Sequence, residues 1–262
     1  MQLNNTCFRF ALRQFLILAV VMTTSISIVG SVCGQAEEDP TAETSAINQR
    51  LSQLESELGK YKDSAPEAAN LMLQLVDEYY RHGRGLGLVR ICQRFTQVHF
   101  NHPKHREMML KLIDGQQVLS RNNELIVACR QHLELYGASG EAAAIEIRLA
   151  DALEQTTDRE GAAKAAEVVW KRYGNSVIGK KYVERAVYIY QSLPGNELQT
   201  QAAVLSEEAM EKIPAKDFAR AMGLNAVYLY SRLSQRVESN RVINRMFQRG
   251  LAGDSQQQRA SY

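Results

Sequence analysis

The sequence has few prolines, almost no net charge and none of the common catalytic motifs. Five prolines stand among 262 residues, and 31 basic against 29 acidic side chains leave a net charge of +2. A charge this small does not indicate a nucleic-acid binder that acts through bulk positive charge. No Gly-x-Ser-x-Gly, His-Glu-x-x-His, Cys-x-x-Cys-His or P-loop pattern occurs. We therefore expect a non-enzymatic protein with no cofactor, and the scarcity of proline favours helices.

Long apolar runs are also rare, and the clearest one lies near the N-terminus. Arg9 and Arg13 precede the run "FLILAVVM" at residues 15–22, and small residues end at Ala36. This order is typical of a secretory signal peptide, and eight apolar residues fall short of the about 20 that span a membrane. We predict a signal peptide at residues 1–36, export to the periplasm or cell envelope, and no membrane span in the mature chain. A lipoprotein anchored through Cys33 is the minor alternative, because Val32 fits such a signal badly.

A short apolar seam follows in residues 37–64. Residues 37–46 are polar and predict a disordered lead-in. Ile47, Leu51, Leu54 and Leu58 then recur at steps of four, three and four. This seam predicts a helix, but it spans only two heptads, fewer than a coiled coil needs. Two interpretations stay open: a helix that caps the fold, or self-association through these four residues.

An internal repeat runs through residues 65–250. Phrases that begin at His99, Tyr136, Tyr173 and Ile213 stand 37, 37 and 40 residues apart. The segment before each phrase carries one helical face at steps of four, three and four, the spacing of a buried stripe. The four stripes are Leu88, Cys92, Phe95 and His99; Leu125, Cys129, His132 and Tyr136; Ala162, Ala166, Val169 and Tyr173; and Ala202, Ser206, Ala209 and Ile213.

Other amphipathic segments lie between these stripes, so each unit contains two helices. One contains Met72, Leu75, Val76 and Tyr79 on one face. A single pair cannot bury its own apolar face, so neighbouring pairs must stack. The sequence predicts an all-α solenoid of about five antiparallel helix pairs after a short N-terminal helix, with a disordered tail at residues 251–262.

The paired helices resemble tetratricopeptide repeats. Small residues occupy close-packing positions at Ala166, Ala186 and Gly223, and "VVWKRYGNSVIGKKYVERAVYIY" is similar to the repeats of bacterial envelope proteins of the Tol-Pal-associated periplasmic coordinator type. The resemblance covers residues 66–250, although the period exceeds 34 and the consensus tryptophan is missing. It implies a right-handed superhelix whose first helices line a concave surface that binds peptides or envelope proteins.

One cysteine and three histidines cluster in "CQRFTQVHFNHPKH", residues 92–105. Cys92 shares its stripe position with Cys129, Ala166 and Ser206, a small-residue packing position. His102 lies in a turn and His105 begins the next helix, so the group does not offer four converging ligands. We predict no metal site, and we expect Cys92 and Cys129 to stay reduced because equivalent positions of stacked helices lie too far apart for a disulfide.

The residues left outside the packing stripes are the candidates for the groove. Assigning the stripes leaves five side chains facing outward on the first helices: Asn70, Asp77, Tyr80, Tyr190 and Arg220. Tyrosine is common at binding hot spots, which favours the two tyrosines. The predicted function is a scaffold that binds partner proteins or peptides. An enzyme or accessory protein of cell-wall metabolism and a histidine-based metal-binding protein are the alternatives.

A basic stripe lies near the end of the chain. Arg241, Arg245 and Arg249 recur every four residues on the last predicted helix. Such a stripe is typical of the polar outer face that a terminal repeat needs for solubility. Contact with anionic lipid, a cell-wall polymer or an acidic partner is the other interpretation.

Overall fold

A computed structural model describes residues 40–251, and this part of the chain is built from helices without a β-strand. The predicted signal peptide and the tail after residue 251 lie outside the described residues. The helices are α1 (Pro40–Leu58), α2 (Pro66–Arg81), α3 (Gly85–Val98), α4 (His105–Val118), α5 (Asn122–Tyr136), α6 (Ala142–Glu154), α7 (Arg159–Tyr173), α8 (Val177–Ser192), α9 (Asn196–Lys212), α10 (Lys216–Arg232) and α11 (Arg236–Gln248).

Helices α2 to α11 form five consecutive pairs. Every two consecutive helices from α2 to α11 pack against each other. Packing between sequence neighbours defines a solenoid, because each repeat covers the apolar face of the next one. The predicted all-α solenoid of five helix pairs is therefore confirmed. We refer to α2, α4, α6, α8 and α10 as the first helices and to α3, α5, α7, α9 and α11 as the second helices.

The repeat stripes of the second helices lie in the core, as their spacing predicts. The leading three residues of every stripe are buried, from Leu88, Cys92 and Phe95 on α3 to Ala202, Ser206 and Ala209 on α9. At these three positions the side chains of α7 and α9 are smaller than those of α3 and α5. The last position of each stripe, at the helix end, is half-buried for His99, Tyr136 and Tyr173.

The short seam of α1 packs on the chain's own core. Leu51 and Leu58 are buried, and Ile47 and Leu54 pack against the same core. The seam is thus a capping helix, one of the two interpretations left open, and the face that would pair with a second copy packs within the chain. The helix also begins at Pro40, inside the expected disordered lead-in. Proline at the first turn and the acidic Glu43 favour this earlier start.

Buried groups in the stripes have shifted pKa values. The thiols of Cys92 and Cys129 are free, and burial raises the pKa of each to about 12. His132 is fully buried, and neither of its ring nitrogens has a hydrogen-bond partner. Burial lowers the pKa of His132 below its usual 6.5, and the nearby Arg106 acts in the same direction against Glu141.

Glycine and serine shape the turn between α7 and α8. Gly174 ends α7 with a φ of +47°, a backbone conformation that favours glycine. Ser176 caps α8, since its hydroxyl accepts a hydrogen bond from the backbone N–H of Gly179 at 3.0 Å. Within the described residues, no helix has the length and apolarity to cross a membrane.

Candidate functional site

The histidines of residues 92–105 have separate structural roles. His105 is buried, with Nε2 donating to the backbone carbonyl of Thr96 at 3.2 Å and Nδ1 lying 2.7 Å from the hydroxyl of Tyr136. The rings of His99 and His102 lie 5.1 Å and 5.2 Å from the ring of Phe95. Across residues 40–251, no three His, Cys, Asp or Glu side chains come together where they could hold a metal.

The basic stripe of α11 contacts the preceding second helix, α9. Arg241 donates two hydrogen bonds to the carboxylate of Glu207, at 3.0 Å and 2.7 Å, and Arg245 donates to the same carboxylate at 2.9 Å. Arg249 donates to the backbone carbonyls of Met210 and Ile213 at the end of α9. Cations near a helix C-terminus stabilise its unpaired carbonyls. The stripe thus joins the last pair to the stack.

Ion pairs connect the outward faces of the first helices. Asp77 on α2 pairs with Lys111 on α4 at 2.7 Å, Asp114 on α4 with Arg148 on α6 at 2.5 Å, and Asp151 on α6 with Arg185 on α8 at 2.6 Å. The two residues of each pair stand 34 residues apart, so the acid recurs on α2, α4 and α6 and the base recurs on α4, α6 and α8. We call these three pairs the ladder.

Two exposed tyrosines continue the acidic side of the ladder. Tyr188 on α8 stands 37 residues after Asp151, and Tyr228 on α10 stands 40 residues after Tyr188. They therefore occupy the position that aspartate fills on α2, α4 and α6. Their side chains are 69% and 59% exposed. Sequence reasoning missed both residues, although the period that relates them to Asp77 was already visible.

A hydrogen bond joins the two helices that carry these tyrosines, at a place next to the tyrosines. Gln191 on α8 donates a hydrogen bond of 3.1 Å to the side-chain carbonyl of Asn225 on α10. Gln191 lies one turn after Tyr188, and Asn225 lies one turn before Tyr228, so both tyrosines belong to one surface. We call this surface, defined by Tyr188, Gln191, Asn225 and Tyr228, the tyrosine face.

Four of the five predicted groove residues reach the surface. Asn70 and Asp77 are exposed, Tyr80 is 54% exposed, and Arg220 is half-buried. Tyr80 packs beneath a cation, with the ammonium of Lys111 at 5.1 Å from its ring centroid. A role of these four residues in peptide binding stays a prediction.

The placement of Tyr190 on the outward face is wrong. Tyr190 is 2% exposed, and its hydroxyl donates a hydrogen bond of 3.2 Å to the carboxylate of Glu167 on α7. Burial, with the nearby carboxylate of Glu167, raises the pKa of this tyrosine well above its usual value. The repeat period predicts that Tyr190 is buried, because Tyr190 stands three units of 37 residues after Tyr79. The stripe of α2 places Tyr79 in the core.

A cleft opens between the second helices α3 and α5, with the first helix α4 at its floor. Its volume is about 510 Å³. The floor contains His105, Met109, Leu112 and Gln116, all buried. The walls come from α3, from α5 and from Phe100 in the turn after α3. No sequence motif indicated this cleft, because its residues come from three helices.

The fold is an all-α solenoid of stacked helix pairs. Among solved structures, the crystal structure of the MamA protein is similar over 76% of this chain and 97% of that chain, with 14% identity and a TM-score of 0.40. The crystal structure of BtubC (BKLC) from P. vanneervenii is similar over 82% and 92% of the two chains, with 12% identity and a TM-score of 0.38. No protein-family model and no curated protein sequence matches the chain.

Proposed function

We propose that the protein is a non-enzymatic scaffold that binds a partner protein through the tyrosine face. The observation that supports this proposal is the exchange of side chains along one position of the repeat. Aspartate paired with lysine or arginine fills this position on α2, α4 and α6, and exposed tyrosine fills it on α8 and α10.

The physical cost of exposed tyrosine favours a binding role for this face. An exposed aromatic ring leaves a large apolar area in water, whereas a paired aspartate is well hydrated. Tyrosine on a rigid helix also contributes contact area with little loss of side-chain entropy on binding. Tyr188 and Tyr228 are therefore suited to act as the anchors at the centre of an interface.

Photocrosslinking tests the proposal at single residues. The photoreactive amino acid benzoylphenylalanine is placed at Tyr188 or Tyr228 in the protein's own cells, and at Tyr61 as the control, where the native tyrosine is 39% exposed outside the repeats. We expect the same partner to crosslink at positions 188 and 228 and not at 61. The Tyr188→Ala/Tyr228→Ala variant should lose that partner with an unchanged thermal melt. Equal crosslinks at all three positions would contradict the proposal.

We further propose that the scaffold acts in the cell envelope after export. The support is the order of Arg9 and Arg13, the apolar residues 15–22 and the small residues that end at Ala36. N-terminal sequencing of the protein from the envelope fraction of a Gram-negative host should start just after residue 34 or 36. An intact Met1 would sink this proposal, and a lipid-modified Cys33 would replace it with the lipoprotein alternative.

A further inference from the structure

On the first helices, one position of the repeat carries a side chain that packs toward the preceding helix. Residues 79, 116, 153, 190 and 230 occupy equivalent places in the five units, spaced by 37, 37, 37 and 40. In three units this residue is a buried tyrosine whose hydroxyl donates to a glutamate on the helix before it. The donor and acceptor pairs are Tyr79 with Glu55, Tyr190 with Glu167 at 3.2 Å, and Tyr230 with Glu207 at 3.0 Å.

The second and third units lack this hydrogen bond. The third unit has the buried apolar Leu153 in this position. The second unit has Gln116, and the residue that corresponds to Glu167 two units earlier is Gln93. Gln116 is 1% exposed, and its side-chain carbonyl oxygen Oε1 has no hydrogen-bond partner. A buried carbonyl without a partner costs free energy and is rare in folded proteins. An N–H group from a bound molecule would remove this cost.

Gln116 lies at the floor of the cleft between α3 and α5. Above it, the walls expose three large apolar side chains: Phe100 is 64% exposed, Val127 53% and Leu135 56%. Glutamine amides line the cleft at Gln93, Gln97 and Gln131. Amide side chains both donate and accept hydrogen bonds, so they match the alternating N–H and C=O groups of an extended peptide.

The charged side chains of the cleft indicate the charge of the ligand that fits it. Glu124 and Glu134 are acidic, both are exposed, and together with the buried His105 they are the titratable side chains of the lining. His105 is engaged by Tyr136 and by the carbonyl of Thr96. Lysine or arginine on the occupant therefore complements the rim.

We propose that this cleft binds an extended segment of a partner protein, with a large apolar side chain next to lysine or arginine. The apolar side chain fills the space between Phe100, Val127 and Leu135. An N–H group of the segment donates to Oε1 of Gln116, and the basic side chain meets Glu124 or Glu134. The site lies on α3, α4 and α5, away from the residues of the tyrosine face, so each surface can be tested without the other.

The other units provide the design of the test. The double variant Gln93→Glu/Gln116→Tyr rebuilds the tyrosine–glutamate hydrogen bond of the first, fourth and fifth units and fills the cleft. The matched control is Gln117→Glu/Val118→Tyr, which introduces the same two residue types at exposed neighbours outside the lining. Both variants should keep the helical circular dichroism signal, and the first should melt at or above the temperature of the wild type.

Peptide selection then identifies the ligand chemistry. Phage-displayed random dodecapeptides are selected on the wild-type protein, and the affinities of the enriched peptides are measured by fluorescence anisotropy. We expect enrichment of phenylalanine, leucine or methionine beside lysine or arginine. These peptides should bind the control like the wild type and lose at least about tenfold in affinity on the double variant. Glu124→Gln/Glu134→Gln should weaken binding and flatten its dependence on salt.

Several outcomes would overturn the proposal. They are no enrichment, enrichment of acidic peptides, or equal affinity for the wild type and the Gln93→Glu/Gln116→Tyr variant. A wild type that sediments as a dimer beside a monomeric double variant would assign the cleft to a second copy instead. If the double variant does not fold, an unchanged affinity and salt dependence of Glu124→Gln/Glu134→Gln would refute the proposal by itself.

Discussion

Replacing Tyr190 with alanine is expected to lower the free energy of unfolding by about 3–5 kcal/mol. The ring is 2% exposed and packs in the core, and its hydroxyl bonds to Glu167. Tyr190→Phe keeps the ring and loses the hydrogen bond, so it should cost about 1 kcal/mol. Urea denaturation followed by circular dichroism measures both changes.

The control for this experiment lies two residues away on the same helix. Tyr188 is 69% exposed, and Tyr188→Ala should change the free energy of unfolding by less than about 0.5 kcal/mol. The two tyrosines therefore separate the core from the tyrosine face with one type of substitution. Similar losses from both variants would show that Tyr188 also belongs to the core.

Replacing His132 with leucine is expected to stabilise the protein and to remove part of its sensitivity to acid. Both ring nitrogens are buried without a partner, and leucine fills a similar volume without buried polar atoms. Replacing a buried polar group that has no partner with an apolar group should raise the free energy of unfolding by about 1–3 kcal/mol. The equivalent residues Phe95, Val169 and Ala209 show that this stripe position accepts apolar side chains.

The pH dependence follows from the lowered pKa of His132. The folded-state value lies below 6.5, so on acidification the unfolded chain binds a proton before the folded chain does. The full contribution of neutral His132 to the free energy of unfolding is present above pH 6.5. It is lost as the pH falls from there to the folded-state pKa. The slope for one proton is at most about 1.4 kcal/mol per pH unit.

Denaturation midpoints of the wild type and His132→Leu between neutral and mildly acidic pH test this expectation. The stability gap between the two proteins should widen as the pH falls, because the other histidines are present in both. A gap that stays constant with pH would mean that His132 accepts a proton equally well in the folded and unfolded chains.

The period of the sequence was sufficient to predict the helix pairs and their buried stripes. The stripe residues of α3, α5, α7 and α9 follow from steps of four and three, because a helix buries one face wherever it packs. The same period, applied to single positions, would have placed Tyr190 in the core with Tyr79 and brought Tyr188 to the surface with Asp77. The apolar pattern of α8 alone did not decide which of Tyr188 and Tyr190 is buried.

Other features depend on distances between helices, which no local pattern contains. The seam of α1 fits either a capping helix or a coiled coil, and only the burial of Leu51 and Leu58 decides between them. The contacts of Arg241 and Arg245 with Glu207 span more than 30 residues. The cleft at Gln116 arises because glutamine is shorter than the tyrosine that other units have at this position. Whether a cleft remains there depends on how far the side chains of the neighbouring helices fill the space.

The ladder has a consequence for how the order of the units is specified. Its acids and bases are interchangeable, so a misfolded chain that omits one unit could pair Asp77 with Arg148 and lose no charge complementarity at that rung. The second-helix stripes do not allow this exchange, because they shrink from Leu88, Cys92 and Phe95 to Ala202, Ser206 and Ala209. A skipped unit would leave voids or overlaps in the core. Side-chain volume, rather than charge, thus distinguishes the native sequence of units from its permutations.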